Sequence, residues 1–172
     1  MTDTRMFAFE SDFVATLRCV PMAVRLKLDL CGIKLTLRQW SRFTPEDRYG
    51  LLVRRCREPA EIAAYRDALT ALVSERTGEV AKALAWTPCA QWDVADSVPA
   101  VVAVYAGTHG LPPPTAAQWA VLSRLQRFAL LKLTLDNHDN VNFVPAMREF
   151  GLISEAANDQ ADASGFAVAA SR

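Results

Sequence analysis

The chain has 172 residues, 51% of them hydrophobic and 22% charged, with 19 Lys and Arg balanced by 19 Asp and Glu. That length and composition suit one compact domain, or two small halves, with enough apolar material for a core that needs no added staple. A formal charge of zero argues against general nucleic-acid binding, and no apolar run reaches the roughly 20 residues that span a bilayer.

The first twelve residues carry no apolar stretch followed by a small-residue cleavage site, so a cytoplasmic address is expected. Ser11 is placed to cap a short helix with Phe13, Thr16, Leu17 and Val20 turned inward. The next segment supports two readings. Val24, Leu26, Leu28 and Leu30 alternate with Arg25, Lys27 and Asp29, and Ile33, Leu35 and Leu37 with Lys34, Thr36 and Arg38. That is the pattern of a β-hairpin over 24–38 turning at Cys31-Gly32. Pro21 at a first helical position and Gly32 just past an end favour a helix from Pro21 to Cys31 instead.

Thr36 begins a short helix through Trp40 and Phe43. Thr44-Pro45-Glu46-Asp47 reads as an N-cap, an N1 proline and two carboxylates at the positive helix end. Tyr49, Leu52, Val53 and Cys56 predict one buried stripe. Pro59 starts a longer helix, with Ile62, Tyr65, Leu69, Leu72 and Val73 on one face and Gly78 as its stop. Residues 79–98 read as a connector pinned by Trp86 and Trp92.

Beyond the connector the first half returns in degraded form. Pro21, Val24, Gly32 and Ile33 match Pro99, Val102, Gly110 and Leu111 at an offset of 78. Thr36, Gln39, Trp40, Arg48, Leu51 and Leu52 match Thr115, Gln118, Trp119, Arg127, Leu130 and Leu131 at an offset of 79. A fixed period carrying Pro, Gly and Trp together predicts one supersecondary unit used twice. The second copy is read as a helix near Pro99–Thr108, a turn at Gly110, a Thr115-capped helix through Trp119 and a buried central helix over Phe128–Leu135. Asp136 to Asn140 forms a turn, Asn140 or Asn142 caps the last helix, and Gly151 ends it. The expected fold is all-α: one helical domain over 1–153, built from units near 21–78 and 99–151. An α fold with a small β-hairpin at 24–38 is the alternative. Residues 154–172, rich in Ala, Ser and Asp, are expected to be disordered.

No GxSxG, P-loop, HExxH or dinucleotide fingerprint is present, so no catalytic residue is assigned. Cys19, Cys31, Cys56 and Cys89 are widely spaced, with no CxxC pair. They are expected as reduced thiols and not as metal ligands. Residues 1–57 carry a formal +5 and residues 58–172 a formal −5. This describes either a surface that orients an acidic partner or two solvated faces of opposite sign. Arg18, Arg25, Lys27, Lys34 and Arg38 would form a basic surface suited to phosphate or carboxylate, although solvated helix faces have the same pattern. Arg48 and Arg127, matched between the copies, are read as structural. His109 reads as a solvated turn histidine. His138 lies among Asp136, Asn137, Asp139, Asn140 and Asn142, either a contact patch or a helix-ending turn followed by a capping Asn.

The stretches Cys19-Val-Pro-Met, Lys27-Leu-Asp-Leu-Cys-Gly-Ile-Lys34, Gln126-Arg-Phe-Ala-Leu-Leu-Lys132 and Asn142-Phe through Glu149-Phe-Gly151 resemble the nitrate reductase-associated protein family, over about Phe7 to Leu152. In that family a basic residue and Pro-Gly often precede the histidine; here Leu135-Asp136-Asn137 stands before His138. The resemblance implies a cytoplasmic, non-catalytic accessory or maturation factor for assimilatory nitrate reductase, a molybdenum and iron–sulfur enzyme. It implies no cofactor of the chain's own and no catalytic residue. Arg18, Arg25, Lys27, Lys34, His138, Asn140 and Asn142 are the candidates for partner contact. The alternative is a cofactor-handling or thiol-based redox protein of molybdoenzyme assembly, using Cys19 and Cys31 with His138.

Overall fold

The computed structural model describes residues 6–10, 19–84, 91–135 and 141–154. It is mostly helical, with eight α-helices among the described residues, and it divides into two compact units, Met1–Ala90 and Gln91–Arg172. The expected Ser11 helix, Trp86, the 136–140 turn and the tail from 155 lie outside the described residues.

In the first unit, α1 (Met22–Cys31) settles the conflict over residues 24–31 in favour of a helix. Leu26, Lys27, Leu28 and Asp29 are all buried, so the apparent alternation does not mark two faces. Gly32 ends the helix at φ 67, its N–H reaching the carbonyls of Asp29 and Leu28. A left-handed residue at this position favours glycine. The chain then enters a two-residue strand, β1 (Ile33–Lys34). Its antiparallel partner is β2 (Lys82–Ala83), with Ile33 opposite Ala83 and Lys34 opposite Lys82. The small sheet is therefore long-range, and it draws the start of the expected connector into the first unit.

Three helices complete this unit. They are α2 (Leu37–Arg42), α3 (Pro45–Val53) and α4 (Pro59–Thr77). Both α2 and α3 begin with a reciprocal capping box. Thr36 Oγ1 accepts from Gln39 N–H while Gln39 Oε1 accepts from Thr36 N–H, and Thr44 and Asp47 repeat the exchange. Glu10, buried on a 3-10 turn, accepts the Met22 N–H at 2.8 Å and so places a carboxylate at the N-terminus of α1. The buried face of α4 is Tyr65, Leu69 and Val73, with Ile62 and Leu72 half-buried beside it. The stripe expected on α3 is rotated. Leu51 and Leu52 are buried, whereas Tyr49 and Val53 are 61% and 40% exposed, and Cys56 is buried beyond the helix end. A helix of two and a half turns leaves the phase of its apolar face to its packing partners, here α1 and α4.

The second unit opens on a 3-10 turn, Gln91–Asp93, followed by α5 (Ala100–Thr108), α6 (Ala116–Val121), α7 (Arg124–Leu133) and α8 (Phe143–Glu149). Capping boxes recur at Thr115–Gln118 and Ser123–Gln126, so α7 starts four residues before the expected Phe128. It buries Leu125, Arg127, Phe128, Ala129, Leu130 and Leu133. Trp92 packs edge-on against Phe128, with ring centroids 5.2 Å apart. Trp119 is fully buried and its indole N–H donates to Val94 O at 3.0 Å. Gln118 donates to Leu152 O, securing the chain after α8. Asn142 occupies the N-cap position of α8 but makes no side-chain capping bond.

Asp47 also receives two hydrogen bonds from Arg76, at 2.8 and 3.2 Å, which tie the start of α3 to the last turn of α4. The Arg76 hydrogen bond, ahead of the Thr44 N–H, holds the Asp47 carboxyl below its ordinary value of 3.8. A carboxylate depressed in this way stabilises the fold above its unfolded pKa, and the contribution is lost as pH falls through the folded one. Asp47→Asn should therefore lower stability at about pH 7, with the gap to wild type closing as the pH falls below the ordinary carboxylate range. Urea unfolding across that range reads it, and a gap independent of pH would refute the assignment.

Candidate functional site

The sequence placed a basic surface on the first unit, and the structure sorts its members. Arg25 is the exposed residue of α1, its Nε donating to Val20 O at 2.9 Å. Lys34 on β1 is exposed and lies opposite Lys82 on β2, also exposed. Neither ammonium has a carboxylate partner among the described residues, although like charges directly opposite destabilise a strand pair. Arg38 and Arg42 are exposed one helical turn apart on α2.

Lys27 is a correction. It is 3% exposed and cannot belong to a contact surface. Its Nζ donates to the carbonyls of Leu52 at 2.6 Å, Arg54 at 2.7 Å and Leu51 at 3.4 Å, and lies 5.8 Å from the Tyr65 ring centre. The last carbonyls of a helix are orphaned acceptors carrying partial negative charge, and a buried cation satisfies both needs. Arg18, His138 and Asn140 lie outside the described residues, and Asn142 is half-buried at the start of α8.

The two arginines read as structural act on helix ends. Arg48 donates to Trp40 O and Ser41 O, both at 3.1 Å, and its guanidinium stands 5.7 Å from the Trp40 ring centre. Arg127 is buried and donates to Leu122 O at 2.7 Å and Trp92 O at 2.8 Å. Desolvation lowers its pKa, with Asp93 acting the other way. An arginine remains charged through any such shift. His109 is exposed at the end of α5, its ring tilted by 47° against Tyr105 with centroids 4.7 Å apart.

Cys31 is buried, its Sγ near Leu28 O at 3.5 Å, and desolvation above all pushes its thiol pKa up from 9.0. Reactive thiols have the opposite character, so Cys31 does not offer the thiolate that a redox role would use. Cys19 is half-buried and Cys56 buried, and neither forms a disulfide among the described residues. No group of His, Cys, Asp and Glu among the described residues is arranged to hold a metal ion. No described helix is long and apolar enough to cross a membrane.

Sequence reasoning missed Arg42, Arg76 and Lys82. Arg42 was findable from its spacing to Arg38 on a helix already recognised. Arg76 and Lys82 join the basic residues of α2 and β1 only through long-range packing. What remains is a first unit with exposed cations on α1, β1, β2 and α2, and others on α4 and the segment after α3, with no nucleophile and base brought together among the described residues.

A family model described as conserved nitrate reductase-associated protein matches residues 6–150 of the chain. No curated protein and no solved structure matches it.

Two outcomes test these placements. Lys27→Met keeps the stem of the side chain but leaves helix-end carbonyls without a donor, and should lower the unfolding free energy by about 2–4 kcal/mol in urea titration. An unchanged midpoint would show that water replaces the ammonium without loss. Thiol labelling of the native protein at neutral pH should modify Cys19 well before Cys31, read by peptide mass spectrometry; faster reaction at Cys31 would reinstate the redox reading.

Proposed function

The chain belongs to the conserved nitrate reductase-associated protein family, and from that premise we propose that it is a non-catalytic accessory factor that binds assimilatory nitrate reductase in the cytoplasm and supports its maturation or activity. The observation that carries this reading is the family match over residues 6–150, nearly all of the described chain. The exposed cations of the first unit agree with it. Arg25, Lys34 and Lys82 are held on short, well-anchored elements, and the two lysines face each other without a counter-ion among the described residues. An acidic surface on the reductase would relieve that repulsion on contact.

The decisive experiment joins genetics to co-purification. A strain lacking the protein should lose most nitrate reductase activity, and the tagged full chain should retain the reductase from extracts of nitrate-grown cells. The double charge reversal Arg25→Glu with Lys34→Glu should weaken association about tenfold at low salt, with the difference shrinking as ionic strength rises. Full reductase activity in the deletion strain would sink the proposal.

A further inference from the structure

A cleft of about 140 Å³ opens in the first unit between α2 and the end of α4, lined by Arg38, Gln39, Arg42, Arg76, Thr77 and Glu79. We propose that this cleft is a phosphate-binding site, taking the phosphate group either as the free ion or on a small phosphate ester. The inference does not rest on the nitrate reductase reading.

Three features build the site. Arg38 and Arg42 lie four residues apart on α2, both exposed, and their guanidinium groups make no hydrogen bond, ion pair or ring contact among the described residues. Four-residue spacing places both on one side of a helix, so two forks of N–H donors converge on the same space. Gln39 supplies a buried polar group at 3% exposure. Its oxygen is committed to the Thr36 N–H and one amide hydrogen to Glu79 at 2.8 Å, which leaves the second amide hydrogen for a ligand. Arg76 is fixed in place by its paired bonds to Asp47 and a third to Glu75 at 3.0 Å. Its charge is already answered, and it serves as a rigid wall carrying residual donors.

Guanidinium geometry selects the ligand. Arg38 and Arg42 have no carboxylate partner among the described residues, and two planar N–H forks match the several oxygens of a tetrahedral phosphate better than the two of a carboxylate, while Glu75 on Arg76 and Glu79 in the cleft offset part of the positive charge. Glu79 is the opposing group. It projects into the cleft on Gln39 and must weaken any anion bound beside it. The volume equals that of a few water molecules, enough for a phosphate group and too small for a folded partner segment.

The experiment is calorimetric titration of the full chain with inorganic phosphate, O-phosphoserine and acetate at matched ionic strength. Saturable, salt-sensitive binding of phosphate is expected, with acetate at least about tenfold weaker. Arg38→Ala with Arg42→Ala should reduce phosphate affinity about tenfold or more, and Glu79→Gln should raise it by about threefold to tenfold. Both arginines are exposed and unpaired among the described residues, so the double variant should keep its helical circular dichroism and melting point. Equal affinity for inorganic phosphate and O-phosphoserine identifies the free ion as sufficient; tighter binding of O-phosphoserine identifies an ester. Absence of saturable binding, indifference to the double arginine variant in folded protein, or acetate binding as tightly as phosphate would each overturn the proposal. Loss of reductase association with phosphate binding intact would count only against the accessory role.

Discussion

The first unit depends on one ammonium group placed where helices ordinarily leave acceptors unpaired. Lys27 on α1 meets the terminal carbonyls of α3, and Tyr65 on α4 donates its hydroxyl to Leu51 O at 3.2 Å beneath it. Three helices are thereby locked at one point. A buried charge is costly, and here close carbonyl oxygens and the negative pole of α3 offset that cost. Burial pushes the Tyr65 hydroxyl pKa well above 10, so it remains a neutral donor. Around this junction lie the side chains that define the core of the unit, among them Leu26, Val24, Leu69 and Val73.

Each unit carries the same series of local devices. A helix with proline before it is followed by a positive-φ glycine, Gly32 in one and Gly110 in the other. Next comes a Thr and Gln capping box that starts a short helix around a fully buried tryptophan, Trp40 or Trp119. A second capping box follows at once, and an arginine of the new helix turns back to carbonyls at the end of the tryptophan helix. Beside the apolar residues, those matched between the halves of the chain include several with backbone duties. Thr, Gln and Arg satisfy orphaned N–H and C=O groups, and Trp fills the volume those helix ends enclose. The differences are equally informative. Arg48 stays half-buried and lies against its tryptophan ring, whereas Arg127 is buried and also holds the Trp92 carbonyl.

The proposed binding surface follows from this economy. Helix ends in the first unit are satisfied from within by Lys27, Arg48, Glu10 and the capping boxes, so these polar groups are unavailable to a partner. Among the cations left at the surface of the unit are Arg25, Lys34, Lys82, Arg38 and Arg42, together with Arg54 and Arg66.

Local chemistry in the chain determined most of the elements. Pro21 and Gly32 bracket α1, Thr44 with Pro45 opens α3, Pro59 and Gly78 bound α4, and Thr115 opens α6; each choice depends on backbone groups within a few residues. Tertiary structure decided what those local signals leave degenerate. The buried phase of α3, the pairing of β1 with β2 across nearly fifty residues, and the descent of Lys27 into the core all depend on distant partners. The candidate site divides in the same way. Arg25, Lys34 and Arg38 were legible as solvent-side charges, while Lys27 looked identical to them in sequence. A lysine codes for an ammonium on a flexible stem, and only the position of a carbonyl-bearing helix end decides whether that ammonium meets water or protein.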